Sequence, residues 1–276
     1  PVKAIRNQTF FVKYGDWFVL VALFAFLLNL KVLRFQLPNK ANELFQKVFA
    51  LDTRSLACFR MALGLVILAD LYIRARDFTL YYTDLGALPR AIIFKSLASP
   101  WNYSPHLWFG TWFGEGAVFL IQALFATAMF FGFHTRVATV ASWVLAVSLQ
   151  TRNGMVLNCG DDLLRLLLLW GMFLPLGASW SIDARKKGSS CGGPHVSVAS
   201  AGLILQICFV YWTTAVLKTG TEWHAEGSAV YYALSLDHMA TSFGIWFRQF
   251  TPMLKVLTYL IWHFEMLGPF LFLIPW

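Results

Sequence analysis

Long apolar runs separated by short polar segments make up most of the 276-residue chain. A helix needs about 20 consecutive apolar residues to cross the hydrocarbon core of a bilayer, and several runs approach or reach that length. The pattern predicts an all-α integral membrane protein, built as a bundle of about seven transmembrane helices. The predicted spans cover residues 17–30, 56–73, 116–133, 137–149, 163–178, 196–217 and 256–274.

A different pattern precedes the second run. Apolar side chains recur there at helical spacing with charged side chains between them, which predicts an amphipathic helix lying in the membrane interface. Residues 1–50 would therefore hold the first apolar helix and this interfacial segment, and residues 51–276 would form the transmembrane bundle. Asp52 or Thr53 is placed to cap the second span. The apolar positions of the interfacial helix are Leu44, Phe45, Val48 and Phe49.

Composition supports a membrane location. Hydrophobic residues make up 58% of the chain and charged residues 13%, whereas about a quarter of a typical soluble domain is charged. The net charge of +8 suits the anionic headgroups of a lipid bilayer better than nucleic acid, because the basic residues lie scattered between the apolar runs. The four cysteines show no CxxC pair and no metal-ligand spacing, so no metal site is predicted.

Charged residues inside the predicted spans include Arg60, Asp70 and Glu265. Charges within a bilayer are costly and usually face the interior of a bundle or a cavity. We therefore expect Glu265 to face the bundle and to pair with a buried donor, for which Arg60 is a candidate. The alternative for Arg60 and Asp70 is that each reaches toward the nearest membrane surface.

Three local predictions concern the fifth and the last spans. Asp161 and Arg165 are four residues apart at the start of the fifth span and could pair on one helix face. Pro175 and Gly177 are expected to end that span. The adjacent Gly268 and Pro269 are expected to break the last one.

Polar loops connect the spans, and successive spans alternate in direction. Residues 81–90, 150–162 and 218–227 should therefore emerge on one face, and the basic residues 185–187 on the other, which the positive-inside rule makes cytoplasmic. Ordered polar loops gathered at the non-cytoplasmic face form a candidate site; the alternative is a salt-bridged plug that closes the bundle. The gathered residues are Asp84, Arg90, Arg152, Asn153, Asn158, Asp161, Asp162, Lys218, Glu222, Trp223 and Glu226.

Several of these segments carry a family resemblance, which runs in order over residues 51–274. They resemble the bacterial HTTM family, the horizontally transferred transmembrane proteins related to vitamin K-dependent gamma-glutamyl carboxylase. The order and spacing of the segments carry the resemblance more than any one of them. The segments are LDTRSLACFRMALGLVILADLYIRARD, YYTDLGALPR, NCGDDLLRLLLLWGMFLPLG, SWSID and QICFVYWTTAVLKTGTEWHAEGSAVYYAL.

The resemblance implies a helical membrane bundle with a site open to the non-cytoplasmic side. In the related carboxylase that site oxygenates a reduced quinone and so generates the base that removes a proton from glutamate. The essential lysine of the carboxylase lies in the loop after the fourth predicted span, but no lysine occurs here between Lys95 and Lys186. Arg152 is the nearest basic residue, and a guanidinium cannot act as the base. Carboxylation is therefore disfavoured, with Lys218 as the residue that could substitute.

Three functional hypotheses follow. The first is a non-catalytic accessory or structural subunit of an assembly with other membrane proteins in a bacterial inner membrane, or a partner in maturing an exported peptide. The second is a membrane enzyme acting on a quinone or bound lipid, with Lys218, Arg152 and the adjacent aspartates as its polar groups. The third is a transporter, disfavoured because no inverted repeat is present. The missing base favours the first.

Overall fold

The computed structural model describes residues 39–96, 104–188, 192–236 and 240–274. The predicted first span, residues 17–30, lies outside the described residues. The chain divides into two units, Pro1–Leu44 and Phe45–Trp276, and all the helices that follow residue 50 belong to the second unit.

The described part of the chain is mostly helical, as the apolar periodicity predicts. Its helices are α1 (Asn39–Phe49), α2 (Thr53–Arg76), α3 (Phe78–Tyr82), α4 (Arg90–Ser96), α5 (Pro105–Trp108), α6 (Trp112–Phe131), α7 (Thr135–Arg152), α8 (Cys159–Gly171), α9 (Ile182–Lys186), α10 (Val198–Leu217), α11 (Thr221–His224), α12 (Ala229–Ala233), α13 (Ser242–Phe247) and α14 (Thr251–Phe272), with a 3-10 turn at Gly154–Val156. Two short strands, β1 (Leu51–Asp52) and β2 (Pro194–His195), pair antiparallel.

Three helices in the described part are long and apolar enough to cross a membrane: α2, α6 and α10. They indicate a membrane protein, although they do not by themselves establish the predicted count of about seven spans. Helix α2 begins where the sequence predicts, because the carboxylate of Asp52 accepts a hydrogen bond from the backbone N–H of Arg54 at 2.7 Å. A side-chain acceptor at that position satisfies one of the free N–H groups of the first turn.

The prediction of one continuous span over residues 163–178 is wrong. Helix α8 ends at Gly171 after 13 residues, a length of about 20 Å, which is shorter than the hydrocarbon core. Pro175 explains this early end. Proline has no N–H to donate to the carbonyl of Gly171, and its ring disfavours the helical conformation of Leu174.

The predicted break at Gly268 and Pro269 is also wrong, since α14 continues through Pro269 to Phe272. Neighbouring side chains bond the carbonyls around this proline. The indole N–H of Trp212 donates to the carbonyl oxygen of Met266 at 3.1 Å, and the thiol of Cys208 donates to that of Pro269 at 3.6 Å. These contacts hold α14 against the adjacent helix at the proline.

One end of the bundle, here called the strand end, gathers β1, β2, the turn between α6 and α7, and helix α9. Arg60 reaches it fully buried and donates to the carbonyls of Met129 at 2.7 Å, Phe130 at 2.6 Å and Trp180 at 2.7 Å. The last carbonyls of α6 have no partner within their helix and carry the negative end of its dipole, so they suit a cation. Arg60 is thus bonded to carbonyls, and the expectation that it pairs with Glu265 is wrong.

Helices α2 and α6 approach closely in the core of the bundle because Gly64 has no side chain. A Cβ added there would lie 2.9 Å from Cβ of Phe130 and 3.1 Å from the carbonyl oxygen of Ala126. Small residues that allow such backbone proximity are typical of membrane helix pairs.

Gly64→Ala should therefore destabilise the protein by about 1–3 kcal/mol, the usual effect of overpacking a close contact. Unfolding in mixed detergent micelles measures the change. The matched control is Gly116→Ala in α6, where the nearest atom to an added Cβ is 4.0 Å away. This variant should gain about 0.5–1 kcal/mol from helix propensity. Equal effects of the two variants would contradict the role assigned to Gly64.

Candidate functional site

The end of the bundle opposite the strand end, here called the polar end, centres on Arg74 in the last turn of α2. Its guanidinium donates to Asp70 at 2.8 Å, to the hydroxyl of Tyr82 at 2.9 Å, and to Asp161. A cation near a helix C-terminus is favoured by the helix dipole. One arginine therefore ties α2 to α3 and to the start of α8.

Asp161 is oriented by its own helix as well as by Arg74. It lies in a capping box, in which its carboxylate accepts the backbone N–H of Asn158 at 2.8 Å. Two orphan N–H groups at the start of α8 are satisfied in this way. The predicted pair of Asp161 with Arg165 is wrong: Arg165 donates to Asp162 at 2.6 Å, on the exposed side of the helix.

Arg152 joins two of the polar loops. Fully buried, it donates to the carbonyl oxygens of Leu88 and Tyr82, each at 2.9 Å. The next residue, Asn153, donates to the carbonyl of Tyr81 at 3.0 Å. Residues 81–90 and 150–162 therefore meet on one face, as the sequence predicts, and Arg152 holds backbone carbonyls there.

Asp84 and Arg90 form a two-pronged pair within the first loop. The Nε and Nη2 atoms of Arg90 donate to Oδ2 of Asp84 at 2.9 and 2.7 Å, and Nη1 donates to the carbonyl of Trp108 at 2.8 Å. Arg152 lies 3.9 Å from the same carboxylate. The hydrogen bonds from Arg90 hold the pKa of Asp84 below its usual value, and the charge of Arg152 acts in the same direction.

Sequence reasoning missed a buried polar chain at this end of the bundle. Nδ1 of His106 lies 2.7 Å from Oε1 of Glu115, and its Nε2 lies 3.2 Å from Oε1 of Gln122. These three side chains are buried, and Oε2 of Glu115 has no partner among the described residues. A signal was present, since Glu115 and Gln122 interrupt an apolar run seven residues apart and so share a helix face.

Lys218 lies in a second polar cluster, on the helix pair α10 and α14. Its ammonium donates to Oε2 of Glu265 at 2.5 Å and lies 4.2 Å from the ring centre of Trp223. Glu265 thus has a paired donor, as predicted, but the donor is Lys218. Glu226 accepts hydrogen bonds from Thr221 and Ser228, each at 3.0 Å, within its own loop.

The residues predicted to form one site therefore fall into two clusters. Asp84, Arg90, Arg152, Asn158 and Asp161 belong to the polar end. Lys218, Trp223 and Glu265 belong to the α10–α14 pair. No hydrogen bond or ion pair between described residues joins the two clusters. Asp162 pairs on the outer face of α8, and Glu222 folds back over Gly220, where an added Cβ would lie 2.1 Å from its carboxylate.

Within the described ranges, no group of three or more His, Cys, Asp or Glu side chains is placed to hold a metal ion. Comparison with known proteins finds no matching family model, curated protein or solved structure. What the fold defines is a class: a mostly helical protein with three helices in its described part that are able to span a membrane, in which buried arginines are bonded to carboxylates and to backbone carbonyls.

Replacing Arg74 tests the central place given to it. Arg74→Met leaves the carboxylate of Asp161, which is 5% exposed, without its cation, and breaking such a buried pair costs about 3–5 kcal/mol. Arg165→Met is the matched control, because that pair is exposed and should cost less than about 1 kcal/mol. Both are measured by unfolding in mixed micelles. Similar losses in the two variants would remove Arg74 from the centre of the network.

The lowered pKa of Asp84 gives a pH dependence with a definite sign. Because the folded state favours the carboxylate, its stabilisation is present above the ordinary value of 3.8 and is lost as the pH falls through the lower folded value. The stability difference between wild type and Asp84→Asn should therefore be constant at neutral pH and shrink in acid. Much of that pH dependence should vanish in an Arg90→Met background. A difference that widens in acid would contradict the assignment.

Proposed function

We propose that this chain is an HTTM-like membrane protein of about seven spans that serves as a non-catalytic accessory or structural subunit of a membrane assembly. The bacterial inner membrane is the location that the resemblance favours. The polar end would face away from the cytoplasm and the basic residues 185–187 toward it. A partner in maturing an exported peptide is one form of the same role.

The ion pair between Lys218 and Glu265 is the observation that supports the proposal most. Starting quinone-dependent carboxylation needs a group with a free lone pair that can take a proton. Nζ of Lys218 donates to Oε2 of Glu265 at 2.5 Å and lies 4.2 Å from the ring centre of Trp223, so this pair would have to break before Lys218 could act as a base. Arg152, in the loop where the resemblance places the carboxylase lysine, is bonded to two backbone carbonyls and cannot lose its proton.

The remaining charges at the polar end support the same interpretation. Arg74 joins three elements, and Arg90 fastens its loop to the end of α5. Every nitrogen of both guanidinium groups donates at least one bond that holds chain segments together. Such a network suits a salt-bridged plug that closes the bundle, one of the two alternatives for the gathered polar loops.

One observation favours the alternative, a membrane enzyme acting on a quinone or lipid. The buried pair of His106 and Glu115 has the composition of an acid–base couple, and Oε2 of Glu115 has no partner among the described residues. Buried titratable groups of this kind occur often at functional sites. In that case His106 and Glu115 would be the working groups, with Lys218 outside the chemistry.

The deciding experiment purifies the full chain from a native membrane in mild detergent and weighs it by native mass spectrometry. We expect a complex of fixed stoichiometry with another membrane protein. We also expect no incorporation of labelled carbon dioxide into a Glu-containing peptide in the presence of reduced vitamin K.

The matched variants are Lys218→Met and the double change of Lys218 and Glu265 to Met. The single change leaves a carboxylate unpaired and should destabilise, whereas the double change should fold and keep the complex. Labelled product made by wild type and lost in the folded double variant would overturn the non-catalytic proposal. Loss of product only on Glu115→Gln would favour the alternative enzyme.

A further inference from the structure

A cavity of about 580 Å³ opens at the strand end, between the start of α7, the segment after α8, and helix α9. Its apolar wall comes from the segment that follows the end of α8. A second groove, of about 560 Å³, lies against the other side of α9 and is lined in part by Phe131 and Trp180. The apolar wall of the first cavity is formed by Met172, Phe173, Leu174, Pro175 and Leu176.

Basic side chains line both the first cavity and the second groove. Arg136 and Lys187 are exposed and contribute to the lining of the first cavity, and Arg185 contributes to the second. The guanidinium of Arg136 makes no hydrogen bond or ion pair with any described residue. A guanidinium without such a partner is stabilised most by forming charge-assisted hydrogen bonds with an anion from outside the chain.

The carboxylate of Asp183 also lines the cavity, but its oxygens already accept hydrogen bonds from the start of α7. Asp183 accepts the backbone N–H groups of His134 at 3.0 Å and Thr135 at 2.7 Å, and the hydroxyl of Thr135 at 2.7 Å. Burial alone would raise the pKa of Asp183, but these bonds outweigh it and lower the pKa. Its charge therefore serves to cap α7, and Arg136 and Lys187 leave the cavity with a positive balance.

A further polar group lies in the cavity wall without a partner. The Nε2 atom of His195 is buried and bonds no described residue. Burial lowers the pKa of His195, which favours the neutral ring. A neutral His195 adds no charge to the cavity.

The depth of the cavity relative to the membrane decides between a lipid and a soluble anion. Helix α6, one of the three helices able to span a membrane, ends at Phe131 beside the second groove. Next to it, the ammonium of Lys186 lies 4.9 Å from the ring centre of Phe133. Aromatic and basic residues of this kind mark the headgroup level of a bilayer. A free phosphate would make no use of the apolar wall.

We propose that this cavity binds an anionic phospholipid. Arg136 and Lys187 hold the phosphate, and an acyl chain lies along residues 172–176. Basic pockets between membrane helices are known to take anionic headgroups in this way. The proposal needs the chain to be a membrane protein but does not depend on whether the chain is a subunit or an enzyme.

The test uses the full chain, delipidated in detergent and titrated with either phosphatidylglycerol or phosphatidylcholine of the same acyl chains, with native mass spectrometry as readout. We expect phosphatidylglycerol to be retained in preference, and each of Arg136→Gln and Lys187→Gln to reduce that preference about fivefold. Arg136→Lys should restore most of it. Arg165→Gln at the polar end removes an exposed charge elsewhere and should leave the preference unchanged.

Several outcomes would overturn the proposal. Equal retention of the two lipids would remove the headgroup preference. A preference that survives loss of both cations, or that falls equally in Arg165→Gln, would place the lipid elsewhere. Displacement of phosphatidylglycerol by inorganic phosphate at a similar concentration would make the cavity a site for a free anion. Because Arg136 and Lys187 are exposed, the variants should unfold at the wild-type temperature, and that measurement accompanies each titration.

Discussion

The structure depends on one constraint: a charge removed from water must be bonded to something, because an isolated buried ion costs many kcal/mol. Arg74 meets this constraint with two carboxylates and a hydroxyl, Arg152 with carbonyls, and Lys218 with Glu265. Each solution also fixes the position of a chain segment. The polar groups that drew attention in the sequence are therefore the groups that hold the helix ends and loops in place.

The choice of partner follows from where each charge lies. Arg60 reaches the strand end and donates to two of the last carbonyls of α6, those of Met129 and Phe130, so it needs no carboxylate. Asp183, at the same end, meets the N–H groups at the start of α7. A cation bonds the end of one helix and an anion the start of the next. The strand end is thus stabilised largely through helix termini.

Periodicity predicted the helices well, because burial of an apolar face depends on local spacing alone. The beginning of α2 followed from a capping residue, and the meeting of residues 81–90 with residues 150–162 followed from alternating helix directions. Partner choice was not predictable. Arg165 pairs with Asp162, because the carboxylate of Asp161 is bonded to Arg74, which is distant in sequence. His106 was missed for the same reason, since its partners lie on another helix.

Lys218 and Arg152 lie in different clusters, and this limits the chemistry that the family resemblance can imply for this chain. Lys218 belongs to the α10–α14 pair, in which indole N–H groups bond across the helices: that of Trp262 donates to Ala215 at 3.1 Å. This pair meets α8 where Gly202 lies under the ring of Trp170, and an added Cβ would come within 2.4 Å of that ring. Chemistry that used Lys218 as a base would have to break its ion pair with Glu265. A mechanism confined to the polar end would not require that change.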